Sequence, residues 1–240
     1  MAQQILLLAL LLSPAGLVTS EALKYELWGD SWPDNSENSL HAHVSRLRRQ
    51  LRELEPDRDI PRLLSEHTSY QLLFTDEEVD GWRFRATVWE LHKRADEMPP
   101  ELVAASVRSA LADWRGPVFG GTVGGSICRV GGRALEKLRY EALELLFRAE
   151  LRCGNHARIV PELVPLVTTY TPFLQRFSEQ LMIALYRSGR QVEALQAYQQ
   201  VKNILVAHGD APGDRLRKCE QAVLTQNSVL VSASAALHAA

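Results

Sequence analysis

Between Asn38 and Arg52 the chain reads NSLHAHVSRLRRQLR. Leu40, Val44, Leu47 and Leu51 recur at i, i+4, i+7 and i+11, which makes one apolar stripe on a helix. The same window holds Arg46, Arg48, Arg49, Arg52, His41 and His43, and no acid. The arginines fall mainly on the other faces. A helix with an apolar back and a basic front is what a protein lays into a DNA major groove. Taken alone, the window also fits the solvated basic face of an ordinary core helix. Its surroundings have to decide.

Bulk charge does not help. The 240 residues carry a net charge of −2. Residues 1–75 hold 7 Lys and Arg against 10 Asp and Glu, so any affinity for nucleic acid must come from a local patch. The length allows one large or two small domains. Cys128, Cys153 and Cys219 are widely spaced, odd in number and in no CxxC pair, as expected of reduced, buried thiols in a cytosolic protein. No histidine stands at ligand spacing to them, so neither a metal nor another cofactor is expected. The run Ile5–Leu12 (ILLLALLL) resembles a secretory leader, but no Lys or Arg precedes it, and eight apolar residues are too few to span a bilayer. The alternative is a fully buried first helix stopped at Pro14. The pattern beyond Pro14 decides for the helix.

In chain order, residues 3–12 predict an apolar helix and Pro14-Ala15-Gly16 a turn. A second helix over 20–29 has Thr19 to cap it, Leu23, Leu27 and Trp28 toward the core, and Gly29 to end it. The loop DSWPDNSE leads to the third helix, capped by Asn35 or Ser36. Residues 53–60 are charged and turn-like, and 62–74 read as a hairpin with Thr68-Ser69 near its tip. Three helices, a short turn between the second and third, and a hairpin together make a winged helix-turn-helix. From Val79 onward the pattern is helical, at about 82–96, 100–113, 134–153, 156–170, 173–188, 191–207 and 213–226. The Gly-rich run Gly116–Gly132 lacks the GK[ST] ending of a phosphate loop and reads as a flexible surface connection. LRCGNHARIVPELVPLV (151–167) aligns with YRSGRQVEALQAYQQV (186–201). The two glycines, Gly154 and Gly189, stand 35 residues apart, near the tetratricopeptide (TPR) period. Residues 227–240 read as a flexible tail.

Both halves resemble one family, the Streptomyces antibiotic regulatory proteins (SARPs). These join an OmpR-type winged helix to a bacterial transcriptional activation domain of TPR-like helices. LWGD (27–30) resembles the end of the family's second helix, NSLHAHVSRLRRQL (38–51) its recognition helix, and EEVDGWRF (77–84) its junction after the wing. DWRGPVF (113–119), QLMIALYRSGRQVEALQAY (180–198) and GDAPGDRL (209–216) resemble activation-domain signatures. The resemblance implies a mainly α protein: a winged helix over 1–76 with the family's N-terminal sheet missing, an all-α TPR-like domain over 77–226, then the tail. It implies no enzymatic activity. It implies a cytoplasmic activator of a secondary-metabolite gene cluster that binds double-stranded promoter DNA as a homodimer on direct repeats and contacts RNA polymerase, with no membrane partner. By position, Arg46 would read or nearly read bases, and Arg48 and Arg49 would grip phosphates. Asn38, His41, Ala42 and Ser45 would line the groove side, and Ser65 would give a phosphate contact from the wing.

Two departures from the family lie in the wing. Ser69 stands where a glycine usually precedes the tyrosine, and Glu66 would repel phosphate. A second reading is therefore a TPR-like interaction protein whose winged helix no longer binds DNA.

Overall fold

The computed structural model describes residues 1–227, and the expected tail beyond Asn227 lies outside the described residues. The described residues divide into two compact units, one of residues 1–86 with 113–138 and one of 87–112 with the described residues from 139.

The first unit is built on α1 (Ala2–Leu12), α2 (Ser20–Trp28) and α3 (Ser36–Leu54). The leucine run forms α1, whose Leu6 and Leu10 are buried with Leu23 of α2 and Leu40, Val44 and Leu47 of α3. Thr19 caps α2 by accepting the Ala22 N–H at 3.2 Å, and Gly29 ends it in the left-handed region at φ 59°. Three short strands accompany these helices: β1 (Leu17–Thr19), β2 (Leu63–Glu66) and β3 (Ser69–Leu72). They form an antiparallel sheet in the order β1-β3-β2, with Val18 and Ser65 both opposite Tyr70. Val18, Leu63, Tyr70 and Leu72 turn inward and close the core. Among the described residues no strand precedes α1.

The second half of the chain contributes α4 (Asp80–Arg94), α5 (Pro100–Ala112), α6 (Ser126–Arg152), α7 (His156–Leu163), α8 (Leu174–Arg187), α9 (Gln191–Ala207) and α10 (Asp214–Leu224). In the second unit α8 is the central helix. It is buried almost continuously from Leu174 to Leu185 and packs on α7, α9 and α10. The repeat is visible as two matching turns. Gly154 (φ 80°) and Gly189 (φ 75°) sit in the left-handed region, and in each case the next residue's N–H bonds a carbonyl five back, Asn155 to Glu150 at 3.0 Å and Arg190 to Leu185 at 2.9 Å. That closing bond lets an antiparallel helix follow at once, and a residue with a Cβ would be strained at either glycine. Arg108 of α5 ties α6 to α7 by bonding Glu150 at 2.8 Å and Glu162 at 3.0 Å.

The structure departs from four expectations. The Gly-rich run is exposed only in its first part. Its second part is packed, and α6 starts at Ser126, not near 134, with Gly131 and Gly132 inside the helix. The helix expected over 156–170 stops at Leu163 and continues as a 3-10 turn, where Pro165 brings no N–H to extend an α-helix. Leu17–Thr19 is a strand, too short to show an alternation. The hairpin turns on His67-Thr68, so the positive φ (49°) falls on His67 while Ser69 is ordinary strand.

The packed glycines reveal a contact that no motif marked. Glu26, only 3% exposed, accepts the backbone N–H groups of Ile127 at 2.6 Å and Cys128 at 3.2 Å, and the Ser126 hydroxyl at 3.3 Å. Its carboxylate thus satisfies the open donors of the α6 N-terminus and complements the helix dipole. A Cβ on Gly125 would come within 2.7 Å of Glu26, so glycine permits the approach. Replacing Glu26 by alanine is expected to destabilise this unit by about 2–3 kcal/mol. The readout is faster hydrogen exchange at the Ile127 and Cys128 amides. Unchanged protection there would show that the carboxylate does not hold the helix.

Candidate nucleic-acid interface

The stripe on α3 sets what the helix can show to solvent. Leu40, Val44 and Leu47 are at most 3% exposed, and burying each contributes about 1.5–3 kcal/mol. With about 100° per residue, the line opposite the stripe runs through Asn38, Ala42, Ser45 and Arg49. All four are exposed, as are His41 and Arg46. Arg52, one turn beyond Arg49 on the same exposed face, joins them, although the motif did not single it out. Lys24 of α2 pairs with Glu37 at the start of α3.

The cations on this face differ in how far they are committed. Arg49 lies 3.7 Å from Glu53 and His41 3.5 Å from Glu37, between side chains all more than half exposed. Such pairs are weak, about 0–1 kcal/mol, and yield readily to a phosphate. Arg46 forms no ion pair among the described residues. Arg48 is different: it is half-buried, and it donates from Nε to the Leu63 carbonyl at 3.0 Å and from Nη2 to Ser65 Oγ at 2.9 Å. Ser65 is exposed on β2, so of the eight residues expected at the interface seven lie along α3 and the eighth is joined to them through Arg48. His43 faces inward. It sits 6.4 Å from Trp28 and 3.3 Å from Gln3 Nε2, and burial, with Arg46 nearby, holds its pKa below the usual histidine value. Glu37, Glu53 and Glu66 border the basic face, which keeps it local.

The wing's base is held by Arg62. It reaches Glu55, just after α3, at 2.6 and 2.8 Å, and Glu78, after β3, at 2.5 and 2.7 Å, and it also donates to the Leu73 carbonyl at 3.0 Å. At the other end the Ser20 N–H bonds the Thr68 carbonyl at 2.7 Å. Arg62, with the Thr75 N–H, draws the Glu78 pKa down to about 2, and Arg62 lowers that of Glu55 as well. Because the folded value lies below the ordinary 4.5, the clamp's contribution is complete above that pH and is lost as pH falls toward about 2. Glu78→Gln is expected to flatten this part of the stability–pH curve. An unchanged acid limb in a pH series of thermal melts would contradict the clamp.

Among the described residues no group of three His, Cys, Asp or Glu side chains could hold a metal, and no helix is long and apolar enough to cross a membrane. The three cysteines are free, and burial raises the Cys128 and Cys219 thiols to about 12.

A helix-turn-helix whose second helix is exposed and rich in arginine, flanked by a paired wing and joined to helical hairpins, defines a DNA-binding transcriptional regulator with a helical-repeat module. Residues 2–63 match the family described as transcriptional regulatory protein, C terminal, and residues 79–224 match the bacterial transcriptional activator domain. The first match ends at Leu63, before most of the wing. The chain belongs to the SARP family of transcriptional regulators. It is similar to the transcriptional regulator RedD of Streptomyces coelicolor (37% identity, 95% of this chain and 66% of that one). It is also similar to the regulatory protein DnrI of Streptomyces peucetius (30% identity, 90% of this chain and 80% of that one). Among solved structures it resembles Mycobacterium tuberculosis EmbR in complex with a low affinity phosphopeptide, with TM-score 0.81, 29% identity, and 94% of this chain and 60% of that one covered.

Proposed function

We propose that the chain activates transcription from the promoter of a secondary-metabolite gene cluster, in the cytoplasm, by laying α3 into the major groove of double-stranded DNA. One observation carries the reading: the exposed face of α3 presents Arg46, Arg49 and Arg52, while its other face is fixed in the core. Arg46, on the flank of the helix away from the wing and without an ion pair among the described residues, is suited to bridge O6 and N7 of a guanine, a contact worth about 1–3 kcal/mol of discrimination. Arg49 is suited to phosphate, as its weak pair with Glu53 can be exchanged for a DNA oxygen. Asn38, His41, Ala42 and Ser45 complete the surface against the groove. Two copies on direct repeats would double the contact, and the helical-repeat unit, a protein-contact scaffold by construction, would meet RNA polymerase. RedD and DnrI, both named as regulators, support the reading.

The competing interaction-protein reading draws on the wing, where Glu66 opposes phosphate and the family match has already ended. Gel shift of the promoter region beside the chain's own gene separates the two. The full chain is expected to shift that fragment, and Arg46→Ala to lose the specific shift with its circular dichroism unchanged. Affinity should fall by about 0.9 log unit per phosphate contact for each log unit of salt. A shift by the Arg46 variant equal to that of the parent, or affinity indifferent to salt, would contradict the proposal.

A further inference from the structure

Resting on the DNA-binding reading, we propose that Arg48 is a positioning residue, not a DNA contact: it locks the wing to the recognition helix and presents the Ser65 hydroxyl to a phosphate. The geometry gives Arg48 that task. Its Nε and Nη2 groups form one edge of the guanidinium fork, and each donates a hydrogen bond to β2, Nε to the Leu63 carbonyl at 3.0 Å and Nη2 to Ser65 Oγ at 2.9 Å. A planar fork with two donors in fixed relation sets both distance and orientation between α3 and β2. Leu63 is itself 1% exposed, so the carbonyl that Arg48 grips cannot move without opening the core.

The bond also decides what Ser65 can do. A hydroxyl has one proton and two acceptor lone pairs. Because Ser65 Oγ accepts from Arg48, its proton is left to donate elsewhere, and Ser65 is exposed. The guanidinium charge on the acceptor side strengthens the hydroxyl as a donor. A phosphate oxygen, which only accepts, is the fitting partner. The wing thus gains a neutral phosphate contact beside Glu66, where a cation's own charge would be partly cancelled.

A direct phosphate contact by Arg48 predicts different behaviour. Lysine would keep the charge and rescue binding, and alanine would lower the salt slope by about 0.9. For a positioning residue, lysine cannot make the two bonds. Charge therefore does not rescue, and the salt slope stays as it was.

The test uses the full chain and a duplex that it selects from a random-sequence library, with affinity followed by fluorescence anisotropy across a salt series. Arg48→Lys and Ser65→Ala are each expected to weaken binding by about tenfold with unchanged slope. Combining them should cost no more than Arg48→Lys alone, since the two act as one unit. In the free protein, Arg48→Lys should speed hydrogen exchange of the β2–β3 amides, a readout independent of DNA. Binding at the parent's level by Arg48→Lys, additive losses, or β2–β3 exchange unchanged would each overturn the assignment. If the parent selects no duplex, the DNA-binding reading falls, and this one with it; if the parent binds and Arg48→Lys equals it, only the role of Arg48 falls.

Discussion

The burial of Leu40, Val44 and Leu47 against α1 and α2 is the interaction on which the rest of the DNA-binding unit depends. It fixes the rotation of α3 about its own axis, and that rotation alone decides which of four closely spaced arginines meets solvent and which meets the wing. A turn of one residue would bury Arg48 and expose Leu47. The apolar α1 completes this packing: its Leu6 and Leu10 are buried in the same core as the stripe and Leu23 of α2.

The unit is finished by a segment far away in sequence. Glu26 of α2 and the first turns of α6 are 100 residues apart or more, yet they are joined by charge-assisted bonds from a buried carboxylate. An acid so thoroughly buried is tolerated because helix-end N–H groups meet it. The Arg62 clamp does similar work at the surface, joining the residues just after α3 to those just after β3. Held at its base by Arg62, at its flank by Arg48 and at its tip by the Ser20–Thr68 bond, the wing is a fixed neighbour of α3.

Much of this was legible in the sequence, for reasons that can be named. The i, i+4, i+7, i+11 leucine and valine spacing gave α3 and its exposed face. Thr19 and Gly29 gave the ends of α2, and Gly154 and Gly189 gave the repeated turn. The misses share a cause: they depend on partners distant in the chain. Leu17–Thr19 becomes a strand only because β3 is there to pair with it. Glycines that read locally as breakers sit in α6 where other side chains come close, Leu12 to Gly131 and Phe119 to Gly132, and Gly125 just before the helix leaves room for Glu26. Glu26 did carry a signal, lying three residues from Leu23 on the buried side of α2, where an acid demands a partner. Spacing places Arg48 beside the stripe and Arg49 opposite it, but the partners of Arg48, the Leu63 carbonyl and Ser65, come from β2 and could not be read from α3 alone.

The central claim is that α3 reads the major groove. Methylation interference on a duplex that the full chain selects from a random-sequence library tests it most directly. Guanine N7 faces the major groove and adenine N3 the minor groove. The account predicts an enriched sequence in which methylation at guanine N7 blocks binding at positions repeated along one face of the DNA. No enriched sequence, or interference confined to adenine N3, would contradict it.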